Sequence, residues 1–364
     1  QISKPLKNFW MPSYNRLQML RFMAQLLHPT AVVDDSHFPA PQVFWDRLVQ
    51  LGSSQLVLPA IYGALKRKKL QQHTPKDLVS YLQEITDLNY RRNSAILKQI
   101  AFLSEVFKQH QIEYVFLKGA AMLITKPYES KSERMVGDID ILVLEKDLFR
   151  AQQLLINEGF DAVSNEFSFT KGVFSENKQK HLKRIAHPNY IAAVELHRHL
   201  LGDNNNLITP KDVLENKLQS PEGYSTPSKH HLWLHAILNW QYNDSGMTQN
   251  ILAFRSVVDV LYLEPEKIVE ALSTAPKAIK HFYSLLSLYF DDYSVYCPLS
   301  KLIYKWQLSH KIFHKLFRLY AKLNALISIS LDRLLLLIRS KTYRQKVLFN
   351  PRLLIHRILN FWNR

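Results

Sequence analysis

Apolar residues recur three and four apart from Tyr14 to about Gln109, with breaks at Pro29, Pro39, Pro41 and Pro75, the spacing of helices that bury one face. In "TPKDLVSYLQEITDL" Thr74 stands where an N-cap would and Pro75 at the first helical position, two start signals in register. The first third therefore reads as helical, ending in a long helix through "NYRRNSAILKQIAFLSEVFKQH". Then the period changes. "YVFLK" is a short β-rich run, "GAAMLITKPY" a helix closed by Pro127, "DIDILVL" a second strand and "EKDLFRAQQLLINEGF" an amphipathic helix ended by Gly159. Further β-rich pieces follow in "FSFT", "HLKRIAH" and "YIAAVELHRHLL", so three to five strands are expected between about 110 and 202.

Helical spacing returns from Thr209 in "PSKHHLWLHAILNWQY", "NILAFRSVVDVLYL" and "PEKIVEALS", and the end of the chain reads as two or three basic helices. The pattern divides the chain into a helical region (1–109), an α/β core (110–205), a second helical region packing on that core (206–298) and a basic helical tail (299–364). No internal repeat, low-complexity stretch or Pro/Gly/Ser-rich linker separates these parts, which predicts that they pack on one another. The apolar run "LNALISISLDRLLLLI" is interrupted by Asp332 and Arg333, so it predicts a buried or amphipathic helix rather than a membrane span.

Composition changes this picture little: 364 residues with 47% hydrophobic content is a globular balance. Charge changes it more. The formal charge is +16, yet residues 299–364 hold fourteen Lys and Arg against the single acid Asp332, a net +13. The remainder is nearly neutral, so the excess charge need not belong to the chemistry of the core. The lone cysteine, Cys297, excludes an internal disulfide framework and a Cys-based zinc site, and reads as a small buried residue. With no signal-peptide pattern, a cytoplasmic location is expected, with peripheral attachment to a membrane as a variant of it.

Candidate chemistry concentrates in the core. Alternation along "DIDILVL" puts Asp138 and Asp140 on one face of a strand. Two carboxylates so close repel unless a proton or cation lies between them, and Mg²⁺ or Mn²⁺ is the natural occupant; a solvated strand end is the plainer alternative. In "LKGAAM", Gly119 marks a strand-to-helix turn where backbone amides and the helix dipole can receive an anion, with Lys118 as a point charge beside it. That pair also has a plain reading, a tight turn and a solvated lysine. "YIAAVELHRHLL" places Glu195 and His197 on one face of an otherwise apolar strand, where a glutamate is costly unless paired, cation-bound or at a wet edge. His230, His231 and His235 lack a companion ligand motif, and His28 and His37 flank prolines without a readable role.

Taken together, "FLKGAAML", Arg134 in "SERMVGDIDILV", and "VELHRHL" resemble the uncharacterised nucleotidyltransferase-like family of the DNA polymerase β-type nucleotidyltransferase superfamily. The helical flanks, including His235 and Asp259, extend the resemblance to about residues 15–265. It implies an α+β fold, a small mixed-sheet core flanked by helical N- and C-terminal regions. It implies Asp138, Asp140 and Glu195 as catalytic carboxylates holding Mg²⁺ or Mn²⁺, with Lys118, Gly119, Arg134 and His197 as nucleotide and phosphate contacts; His197 alternatively orients Glu195. Lys118-Gly119-Ala120 departs from the superfamily's Gly-Ser turn and lacks its hydroxyl. The implied reaction moves a nucleoside monophosphate from an NTP to a small molecule, protein or RNA, releasing pyrophosphate, with Glu195 or Asp140 drawing the acceptor's proton. The alternative is an inactive scaffold of the same fold. The tail, which mixes Lys and Arg with Trp, Phe and Leu, suits RNA or an anionic membrane, or a basic domain with its lysines in water.

Overall fold

The computed structural model describes residues 15–33, 40–163, 180–202, 206–266, 268–339 and 344. The predicted strand "FSFT" and His37 lie outside them. Helices α1 (Arg16–Leu27), α2 (Gln42–Ser54), α3 (Leu58–Arg67) and α4 (Lys76–Gln109) build the first third. α4, 34 residues long, starts one residue later than the cap signals suggest: Pro75 is its N-cap, and the Thr74 hydroxyl donates back to the Leu70 carbonyl.

Strand β1 (Tyr114–Phe116) leads through Leu117 into α5 (Lys118–Thr125), and β2 (Ile139–Val143) leads to α6 (Leu148–Asn157), whose chain reversal uses Gly159 at φ +91°, a conformation that favours glycine. β3 (Asp161–Ala162), β4 (Ile185–Ala186) and β5 (Val194–His197) complete a five-stranded sheet in the order β1-β2-β5-β4-β3. The sheet is mixed: β2 runs parallel to β5, and the other pairings are antiparallel.

Alternation gives the sheet two unlike faces. Ile139, Ile141 and Val143 of β2, with Val194 and Leu196 of β5, pack into one apolar cluster with Ile100, Leu103 and Phe107 of α4 and Leu148 and Leu155 of α6. Asp140, Leu142, Glu195 and His197 take the other face. There Val115 and Leu142 join a second, larger cluster built by the helices.

That second cluster draws on α7 (Pro210–Glu215), α8 (Lys229–Leu238), α10 (Phe254–Leu263), α11 (Ile268–Ser273), α12 (Lys277–Leu286) and α13 (Pro298–Ser309), with the β6 (Leu218–Gln219) and β7 (Ser225–Thr226) hairpin beside the sheet. α8 continues into a π-helical turn over Asn239–Asn243 before the short α9 (Gly246–Gln249). α1 packs on α13, and Arg21 donates to the Leu288 carbonyl at 2.5 Å. The protein is thus α+β with a small mixed sheet flanked by helices, as the pattern predicts.

The chain forms two compact units, and this first one runs to Lys311. Cys297, expected to be buried, is half-buried as the N-cap of α13. The second unit, in its described part, is α14 (Lys311–Arg339) from Ile312 onward. Among the described residues no helix is long and apolar enough to cross a membrane.

Candidate active site

β2 and β5 are parallel and in register, with Asp140 beside Glu195 and Leu142 beside His197. Period-two alternation therefore stacks Asp140, Glu195 and His197 on one face, and all three are buried. The carboxylate of Asp140 lies 2.7 Å from His197 Nε2, which stands 3.3 Å from Glu195 Oε2. Both near neighbours are acceptors, so the imidazole donates from Nε2; among the described residues its buried Nδ1 has no hydrogen-bond partner. Among the described residues these three offer ligand atoms within 4.8 Å of one another, a group able to hold a metal ion.

Asp138 precedes the strand and is half-buried. Its carboxylate does not join that trio; Arg184 reaches it at 3.2 Å and Glu195 Oε1 at 2.7 Å, bridging the two acids. Lys118 supplies the second cation, its ammonium 2.6 Å from Asp140 Oδ1. The backbone of Lys118 is left-handed, φ +48°, a conformation that costs a residue with a Cβ about 1–3 kcal/mol and is found at functional sites. Here the unusual torsion is carried by the lysine rather than by the glycine after it. Gly119 has a different constraint: a Cβ there would stand 3.1 Å from both methyls of Val136, so its smallness lets α5 approach the loop before β2.

Burial favours a protonated carboxyl at all three acids, and the balance differs at each. At Asp140 burial is outweighed by the Lys118 ammonium and the His197 hydrogen bond, which hold it well below the usual carboxylate range. At Glu195 burial is likewise overcome, chiefly by the His197 hydrogen bond, and its pKa is lowered to about 2. At Asp138 burial and the Asp140 charge prevail over Lys118 and Arg184, so its pKa is raised. Around them stand Lys180, lowered to about 8 by burial and by Lys118, and His235 on α8, lowered to about 3 by burial and the nearby lysines.

Arg134 is placed apart from this group. Its guanidinium forms a two-pronged pair with Asp259 of α10 at 2.7 and 2.8 Å, and the Tyr128 hydroxyl donates to the same carboxylate. It also lines a cavity of about 390 Å³ at the far end of α5, bounded by Met122, Lys126, Lys131 and Tyr224, which does not include the carboxylates. The loop before β2 is held by α4: buried Asn89 and Asn93 donate to the carbonyls of Ser132, Lys131 and Arg134, and Arg92 to those of Val136 and Gly137.

Arg184, Lys180 and the Asn89/Asn93 pair carry no signal in a single sequence, since each is a polar residue in a polar run or on a helix. His28 also acquires a role, its Nδ1 accepting from the amides of Thr30 and Ala31.

The donor set is rich in oxygen, convergent and buried, which fits a hard divalent cation, and one imidazole nitrogen keeps Mn²⁺ within range. No curated protein matches the chain. A family model described as "uncharacterised nucleotidyltransferase" matches residues 41–263, from just before α2 to the end of α10, including the whole sheet and every residue of the acidic cluster. With more than half its length so matched, the chain carries a nucleotidyltransferase domain and belongs to that family of uncharacterised nucleotidyltransferases.

Proposed function

We propose that the protein transfers a nucleoside monophosphate from an NTP to an acceptor and releases pyrophosphate. The observation that carries this reading is the register of β2 on β5, which sets Asp140 against Glu195 on one face with Asp138 at the strand's mouth. Asp140 and Glu195 are the residues assigned to hold Mg²⁺ or Mn²⁺, which when bound would neutralise the carboxylates and the charge developing on the phosphates, while Asp138, outside their group, stays free of it. The chain's own groups divide the remaining work. Gly119 and the first amides of α5 face the polyphosphate. Lys118 and Arg184, tied to Asp140 and Glu195, turn to the phosphate oxygens when these arrive. His197 keeps Asp140 and Glu195 ionised and oriented.

The acceptor hydroxyl attacks the α-phosphorus as the bond to the bridging oxygen breaks and pyrophosphate leaves with that electron pair. Asp138 is the best placed of the three to take the hydroxyl proton: its pKa is raised and its carboxylate is 37% exposed, whereas the other two are held acidic and enclosed.

The test is thermal unfolding with each NTP, with and without Mg²⁺, beside pyrophosphate release. A nucleotide at about 100 times its dissociation constant adds roughly 2.7 kcal/mol of stability. Asp140→Asn and Glu195→Gln are each expected to abolish the metal-dependent gain and to slow turnover by about 10²-fold or more. Absence of stabilisation by every NTP overturns the reading. One observation favours a second: Lys118 and Arg184 already neutralise the acids, as in a scaffold that keeps the fold without turnover. Metal-dependent nucleotide binding without pyrophosphate release from any acceptor class would select it.

A further inference from the structure

α14 carries two chemically distinct rows. Ile312, Leu316, Leu323, Ile327, Leu331 and Ile338 recur at intervals of four and seven, one side of a 3.6-residue helix, and stand 40–76% exposed. Lys311, Lys315, Arg318 and Lys322 recur at three and four on the side away from them. No acidic residue occurs between Asp292 and Asp332, so this cationic row has no counter-charge in its own stretch of chain. A continuous exposed aliphatic row on a helix marks an interaction surface.

The chemistry of the two rows selects the partner. Pairing two copies through the aliphatic row would cover the aliphatics and leave both cationic rows on the outer faces, with no acid in their own stretch to offset them. Nucleic acid would satisfy the cations through phosphate and leave the aliphatics in water. The helix, 29 residues and so about 44 Å long, is long enough to span a bilayer, but among the described residues no window of it is apolar enough to do so. An anionic lipid surface takes both rows at once, the aliphatics entering the acyl boundary while the long basic side chains reach the headgroups. We propose that α14 binds an anionic phospholipid surface, lying in the plane of the interface. The inference does not depend on the transferase reading.

The experiment is co-sedimentation of the full chain with vesicles of phosphatidylcholine alone and of phosphatidylcholine with phosphatidylglycerol, at low and high salt. Binding is expected to the anionic vesicles and to weaken with salt. Lys315→Ala/Arg318→Ala/Lys322→Ala is expected to weaken it roughly 100-fold, and Leu316→Ser/Leu323→Ser/Ile327→Ser to remove it even at low salt. Both variants change exposed or half-exposed side chains, and their unfolding midpoints check that they fold. Failure to bind anionic vesicles overturns the proposal, as does equal binding by the serine variant. Salt-sensitive binding to tRNA that the serine variant retains, without vesicle binding, would assign the helix to RNA; a dimer lost in the serine variant, again without vesicle binding, would assign it to a second copy.

Discussion

Asp140 is held between opposed influences: burial penalises its charge, and Lys118 and His197 keep it. Lys118→Met leaves that buried carboxylate with one partner fewer, and a stability loss of about 3–5 kcal/mol is expected. If the site takes a divalent cation as proposed, Mg²⁺ alone should recover part of that loss in the variant while doing little for the parent, a difference read directly from unfolding midpoints. A pH effect follows from His281, whose Nε2 donates to Asn250 and whose Nδ1 accepts from the Gln241 amide. Burial, aided by Lys277, lowers its pKa to about 4, and the bond from Gln241 needs the neutral ring. Between about 6.5 and 4 the unfolded chain then binds more protons than the folded one, so stability falls as the pH is lowered through that window. The slope is at most about 1.4 kcal/mol per pH unit per histidine; urea unfolding from pH 7 to 5 should show it, with a shallower slope in His281→Gln. His28 and His235 act in the same direction.

Between elements, the decisive tie is Arg134 to Asp259, joining the loop before β2 to α10 across 125 residues of sequence. Asp259→Ala is expected to cost about 3–5 kcal/mol in denaturant unfolding, because it strands a buried guanidinium. Gly119→Ala should press on Val136 and cost about 1–3 kcal/mol, and the double variant with Val136→Ala should lose less than the sum of the two singles. These contacts also mark how far the sequence could be read. The strand β1 was legible as a short β-rich apolar run, and β2 and β5 because their residues alternate between an apolar face and a functional one, which also exposed Asp140, Glu195 and His197 as misfits in apolar runs. β4 lies inside the β-rich "HLKRIAH", whereas β3, two residues long, gives no such period. The partner of Arg134 was not legible, since an arginine in "SERMV" looks the same whether it meets phosphate or a carboxylate on a distant helix. Arg184 is the same case: only its place on the acids gives it meaning.

In the whole molecule, both apolar clusters of the first unit draw their residues, among the described ones, from Leu17 to Leu308. Truncation after Lys311 is therefore expected to leave the unfolding midpoint of that unit within about 2–4 °C, the shift of roughly 1 kcal/mol in a domain of this size, as differential scanning calorimetry would register. The pairing of α1 with α13, and of Arg21 with Leu288 over 267 residues of sequence, bears on something else: when the fold can close. At synthesis rates of about 5–20 residues per second, the nascent chain holds α1 for roughly 13–50 s before its partner backbone has been made. For that interval α1 can pack on α2 and α3, but its contact with α13 has no partner. The side of α1 that meets α13 is thus sheltered late, and the ribosome's pace sets how long a chaperone would have to cover it.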